Sequence, residues 1–185
     1  MNRIVEKVDD ISSLTDFYCG VKSMDTFIHS KYNGLNDFVT HGLTNLWIVR
    51  ECDEVIGFFA LSKSALILNS FDIRNLEDET NSNDIFELRE SFPALKIDYL
   101  AIREDLKFKG LGSDLLLTIC DGAKSDRFSA TMFIIVDALD TPEYSAVEFY
   151  NKNYFKESEY GLVKNQNKQI YGDKVDTKLM YLPLF

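Results

Sequence analysis

The residues with the clearest chemical potential form one short run, Lys107-Phe108-Lys109-Gly110-Leu111-Gly112-Ser113. Its two glycines let the backbone turn tightly and come close to a ligand. Leu115, Leu116, Ile119, Cys120 and Ala123 follow at helical spacing, so the run opens a helix. The first N–H groups of a helix have no intrahelical acceptor. Together with the amides of the turn they make a cradle for an anion such as a pyrophosphate. Lys107 and Lys109 add local positive charge. The run is not GxxxxGK[ST], and the chain has one late GxG pair, which argues against a Walker loop and a dinucleotide fingerprint. Taken alone, it also suits an ordinary strand–helix connection. Other chemistries are poorly supported. Cys19, Cys52 and Cys120 are odd in number, far apart and in no CxxC pair, which fits reduced thiols in a cytoplasmic protein rather than a disulfide framework. His29 and His41 have no ligand spacing, so no metal is expected.

The elements that must position this run are legible on either side of it. Residues 94–102, ALKIDYLAI, read as a long strand leading into it. Upstream, residues 2–9 alternate weakly as a strand. After the turn at 17–20, Ser23 has the character of an N-cap ahead of Met24, Phe27 and Ile28 on one helical face. A second short helix holds Leu35, Phe38 and Val39. LWIVR (46–50) and VIGFFAL (55–61) flank a short polar turn and predict a hairpin, with Gly57 marking a bulge or a close backbone approach. Downstream, MFIIVDA (132–138) is an unbroken apolar strand, expected to be covered on both faces. Residues 143–153 read as a helix with Tyr144, Val147 and Tyr150 in line. Short strands at 154–155 and 179–182 enclose a polar loop at 161–176. The order implies one domain over 1–185: an α/β fold with a mixed sheet, helices on both faces, and an insertion at 66–92 before the fourth strand.

Length and charge bound the rest. The chain has 185 residues, 45% of them hydrophobic, enough for one sizeable core. No run of 18 apolar residues exists, so no membrane partner is expected. Thirty acidic against 20 basic residues give a net charge of −10. That opposes broad, sequence-blind phosphate binding. Yet the charge is uneven. Residues 69–92 carry seven acids and two bases, a net of −5, whereas 101–128 are neutral, with five bases against five acids. The glycine run therefore lies in neutral surroundings.

Residues 95–155 resemble the GCN5-related N-acetyltransferase (GNAT) superfamily. Lys107-Phe108-Lys109-Gly110-Leu111-Gly112 is similar to its acetyl-CoA loop, [Arg/Gln]-x-x-Gly-x-[Gly/Ala], with Lys in place of Arg or Gln. Val136-Asp137-Ala138, then Ala146-x-x-Phe149-Tyr150-x-Lys152-x-Tyr154-Phe155, is similar to its fifth strand and A-x-x-F-Y-x-K-x-G-F helix. Tyr154 stands where Gly is usual, and Thr141 to Ser145 look inserted. Phe17-x-Cys19-Gly20-x-x-x-Met24-Asp25-x-Phe27-Ile28 resembles the opening of a branch that includes toxins of toxin–antitoxin pairs, which acetylate aminoacyl-tRNA. The resemblance implies a mostly antiparallel sheet and acetyl-CoA as cosubstrate. Backbone groups of Leu100, Ala101 and Ile102 would meet the pantetheine arm, and the amides of Phe108 to Ser113 the pyrophosphate. Tyr150 would protonate the CoA thiolate. Asp98 is the candidate base for the attacking amine, against a solvent-facing strand residue. Burial explains Cys19 and Cys120, and Asp25 suits the first turn of its helix.

The function implied is direct acetyl transfer from acetyl-CoA to a primary amine of a small molecule or protein. Two alternatives stand beside it: a toxin-type enzyme acting on aminoacyl-tRNA, which the charge disfavours, and a non-catalytic CoA-binding module that keeps the fold. A homodimer is compatible with all three.

Overall fold

The computed structural model describes residues 3–68, 70, 73, 74, 76, 91–127, 129–158 and 177–185. Its elements are β1 (Arg3–Val8), α1 (Lys22–His29), α2 (Leu35–Thr40), β2 (Asn45–Glu51), β3 (Glu54–Leu66), β4 (Phe92–Ile102), α3 (Leu111–Ser125), β5 (Phe133–Leu139), α4 (Val147–Lys152), β6 (Lys156–Glu157) and β7 (Thr177–Pro183). The strands form one seven-stranded sheet in the order β1-β2-β3-β4-β5-β7-β6. β1 with β2, β2 with β3, β5 with β7 and β6 with β7 are antiparallel. This is the α/β class that the sequence implies. The polar segment at 161–176 and most of the acidic segment lie outside the described residues.

The chain divides into two compact units, one built on residues 3–62 and 97–119, the other on 63–68, 91–96, 120–158 and 177–185. In the first, β2 and β3 join through Cys52 and Asp53, with φ of 51° and 67°. Two successive left-handed residues give a turn whose twist matches that of the paired strands. Val49 pairs with Gly57 and Arg50 with Val55, so Ile56 is an extra residue and the ladder bulges there. A Cβ on Gly57 would lie 3.0 Å from the Ala101 carbonyl oxygen, so this glycine marks both a bulge and a close approach. Alternate residues Leu46, Ile48, Phe58, Ala60, Tyr99 and Ala101 face one core with Phe27 and Ile28 of α1 and Leu35 and Val39 of α2. The period of two in the strands and three to four in the helices is what collects these side chains.

In the second unit β5 lies between β4 and β7. Its first four residues are all buried, as a continuous apolar strand requires. Phe92, Ala94, Phe133, Ile135, Leu179 and Tyr181 form its core together with Leu66, Leu68 and Leu76. Within the insertion at 66–92, the polar middle, 75–84, reads from the sequence as exposed; Leu76 in that middle is instead buried in this core, as are Leu66, Leu68 and Phe92 at the ends of the segment.

Two helix boundaries differ from the sequence reading. Ser23 does not cap α1: the N-cap is Val21, with no side-chain cap. The helix over 143–153 shrinks to Val147–Lys152. Residues 140–146 instead fold back on themselves, with Thr141 N–H donating to Tyr144 at 2.9 Å and Ala146 N–H to Leu139 at 2.8 Å. Tyr144 is therefore not in line with Tyr150 on a helix. This closed excursion coincides with the five residues that look inserted.

Candidate functional site

The glycine run emerges from β4 through a short 3-10 turn, Glu104–Leu106. Gly110 has φ of +84°, which favours glycine, and a Cβ there would meet nothing within 4 Å. The space over it is open to a ligand. Phe108 also adopts a left-handed conformation, with φ of +62°, although its ring is fully exposed. Such a conformation is unusual for a bulky residue, and burial does not offset its cost. Asp114 N–H donates to Gly110 at 3.1 Å, closing the first turn of α3. That geometry leaves the N–H groups of Leu111, Gly112 and Ser113 without an intrahelical acceptor. Leu111, Leu115, Leu116 and Ile119 are buried and fix the helix start. Lys109 Nζ donates to the Asp105 carbonyl at 3.0 Å, and Arg3 pairs with Asp114 at 2.6 Å.

The first unit also contains the β4 candidates. Tyr99 and Ala101 point into its core, so Leu100 and Ile102 lie on the other face. Buried positions along β4 change parity between Ala94 and Ile97: Phe92 and Ala94 belong to the core of the second unit, Tyr99 and Ala101 to that of the first. Asp98 Oδ2 accepts from the Thr44 hydroxyl at 2.7 Å and its Oδ1 from the Ser62 hydroxyl at 3.1 Å. The solvent-facing alternative for Asp98 thus gives way to a part-buried carboxylate held by two hydroxyls.

Tyr150 belongs to the second unit. It is 5% exposed, and its ring meets Phe149 and Phe155 edge-on at 5.0 and 5.1 Å. α4 ends in a full Schellman cap: Tyr154 N–H donates to Asn151 and Phe155 N–H to Tyr150, both at 3.1 Å. The left-handed position of that cap is Tyr154, with φ of +67°. A glycine at this position of the motif thus has a physical cause, and this chain keeps the cap with a tyrosine.

One pair escaped the sequence reading. Lys96 of β4 and Asp137 of β5 form an ion pair at 2.7 Å, with side chains 17% and 7% exposed. The available signal was a charge inside each of two strands read as apolar, because a buried charge needs a partner. Asp25 also does more than suit a helix dipole: it accepts the Cys19 and Gly20 amides at 2.8 and 3.0 Å. Burial pushes the Cys19 thiol up to about 12 and raises that of Cys120, so neither is an activated nucleophile. Among the described residues, no cluster of three His, Cys, Asp or Glu side chains could hold a metal, and no helix is long and apolar enough to cross a membrane.

No protein-family model and no curated protein matches the sequence. Solved structures do match in fold. A tyrosine-to-phenylalanine mutant of KacT aligns with a TM-score of 0.68 and 16% identity, over 100% of this chain and 96% of that one. The corresponding kind of mutant of the toxin AtaT, bound to the C-terminus of the antitoxin AtaR and to acetyl-CoA, aligns at 0.66 and 16%, over 100% and 94%. AtaT complexed with acetyl-methionyl-tRNAfMet aligns at 0.66 and 16%, over 98% and 95%. The chain therefore has the fold of these AtaT and KacT structures.

Proposed function

We propose that the chain is an N-acetyltransferase that moves acetyl from acetyl-CoA directly to a primary amine of a small molecule or protein. The observation that carries this reading is the Lys107–Gly112 turn at the head of α3, in a fold whose solved examples include AtaT with acetyl-CoA. The donors present suit a pyrophosphate: three N–H groups without intrahelical acceptors, two lysines, and no Cβ over Gly110. Bound acetyl-CoA supplies a thioester-activated acetyl group. The amides of Phe108 to Ser113 hold its pyrophosphate, and backbone groups of Leu100, Ala101 and Ile102 its pantetheine arm. Tyr150 gives a proton to the departing sulfur. The solved examples of this fold include tyrosine-to-phenylalanine mutants of both AtaT and KacT, the same kind of change that Tyr150→Phe makes here. Asp98 takes the proton of the attacking amine, directly or through water. The three free cysteines suit a cytoplasmic setting.

A second reading makes aminoacyl-tRNA the acceptor. AtaT complexed with acetyl-methionyl-tRNAfMet favours it, and the net charge of −10 opposes it. The test is thiol release from acetyl-CoA with a panel of small amines, lysine-bearing proteins and aminoacyl-tRNA. Release with a small or protein amine, lost in Tyr150→Phe, is the expected result. Release with aminoacyl-tRNA alone selects the second reading. Binding of acetyl-CoA without release for any acceptor leaves a CoA-binding module and overturns the enzyme.

A further inference from the structure

The Phe17–Gly20 turn and the glycine run lie far apart in sequence, yet the fold joins them within the first unit. Glu104 N–H donates to the Tyr18 carbonyl at 3.1 Å. Gly20 has φ of +71°, and a Cβ on it would lie 2.6 Å from Glu104 Cδ and Oε1. The Glu104 side chain therefore lies over the Gly20 backbone; its flexible carboxylate end can swing aside, so the fixed demand for glycine here is the left-handed φ. Asp25 fixes the turn from the opposite side, its two carboxylate oxygens accepting the consecutive amides of Cys19 and Gly20. Phe17 and Cys19 are buried beneath it, and Phe17 meets Phe58 edge-on at 5.4 Å.

Glu104 in turn leads directly into the glycine run. Its carbonyl accepts Lys107 N–H at 3.3 Å. On the β3 side, Arg103 N–H donates to the Ile56 carbonyl at 3.0 Å, and its guanidinium pairs with Glu54 at 2.8 Å and Asp105 at 2.7 Å. Residues 103–107 are thus fixed by β3 on one side and by the turn on the other. The close approach of Gly57 to the Ala101 carbonyl and the left-handed turn at Gly20 under Glu104 both bear on the segment that delivers Lys107.

We infer that the Phe17–Gly20 turn, clamped by Asp25, is a positioning device for the pyrophosphate-binding turn at Lys107–Gly112. The inference rests on that turn being the acetyl-CoA site. Asp25 and Gly20 touch no reacting group; they act through Glu104. This gives a physical reason for the Cys-Gly-x-x-x-Met-Asp spacing, because the first turn of α1 is what brings the Asp25 carboxylate back onto the two amides.

The experiment compares two ligands. Acetyl-CoA reaches the Lys107–Gly112 turn, whereas acetyl-pantetheine carries the same thioester and arm but no pyrophosphate. Dissociation constants are measured for both on the wild type, Asp25→Ala, Gly20→Ala and the double variant Gly20→Ala/Glu104→Ala, each with a circular-dichroism melt. The expected result is about a tenfold loss of acetyl-CoA affinity in Asp25→Ala and Gly20→Ala, with acetyl-pantetheine unchanged, because a small displacement of a preorganised site is felt only by the group it holds. Truncating Glu104 keeps its backbone N–H on the Tyr18 carbonyl and leaves the strained φ at position 20, so the double variant binds as Gly20→Ala does. Parallel losses for both ligands, or none in variants that melt cooperatively, overturn the inference. A wild type that binds the two ligands equally well overturns the acetyl-CoA reading itself, and the inference with it. Should Asp25→Ala fail to fold, Gly20→Ala, which strains the same turn, decides the matter alone.

Discussion

At Tyr150 a packing role and a chemical role can be separated. Its ring is packed between Phe149 and Phe155, and its backbone carbonyl anchors the Schellman cap. Phenylalanine preserves both of those features, so Tyr150→Phe isolates the hydroxyl. The account expects Tyr150→Phe to lower thiol release by roughly a hundredfold or more while acetyl-CoA affinity and the melting temperature stay near wild type. A variant of unchanged rate would remove the proton donor from the mechanism. Tyr154 offers a converse test. It holds a left-handed conformation with 83% of its surface exposed, so its side chain gains little from burial. Tyr154→Gly should raise stability by about 1 kcal/mol, read as a higher melting temperature. The cysteines are ranked by burial: Cys52 is exposed, Cys120 half-buried and Cys19 buried with its thiol pushed up to about 12. Alkylation of the folded protein at pH 8, mapped by mass spectrometry, should modify Cys52 first and leave Cys19 intact.

At the scale of elements, the β2–β3 hairpin carries two left-handed residues, neither of them glycine. Placing Asn at 52 and Gly at 53 by Cys52→Asn and Asp53→Gly should therefore stabilise the chain by about 1 kcal/mol, measured by denaturant titration. This hairpin was legible because two apolar runs flank a short polar break. Gly57 was legible because a glycine inside such a run needs a reason. The limit of α4 was not. Tyr144, Val147 and Tyr150 have the spacing of a helix, but Ser145 bridges back to Asp140 and ends the helical path before it begins. Periodicity records only spacing along the chain and is blind to such a return. The ion pair of Lys96 with Asp137, and the seating of Glu104 on Gly20, join residues from distant parts of the sequence. Contacts of that kind depend on strand order, which local pattern does not specify. The glycine run itself could be read in advance because its chemistry is local: amides, a turn and a helix start within seven residues.

For the whole molecule, the net charge of −10 sets the partners that can be held without local geometry. A net charge of that sign opposes the broad, sequence-blind phosphate contacts on which non-specific nucleic-acid binding relies. Uncharged tRNA should accordingly show no retention below about 10 μM in a gel-shift assay at physiological salt. Tight binding there would shift the acceptor toward aminoacyl-tRNA. Net charge bears less on a small anion, because backbone amides rather than net charge can hold a pyrophosphate, and residues 101–128 are neutral. The most direct test of the central claim is a calorimetric titration of acetyl-CoA into the wild type and Gly110→Val. A Cβ at position 110 meets no protein atom within 4 Å, but a β-branched side chain there strains the φ of +84° and occupies the open space proposed for the pyrophosphate. The account predicts one-to-one binding to the wild type and at least about a tenfold weaker affinity in the folded variant. No binding to the wild type, or equal binding to both, would contradict it.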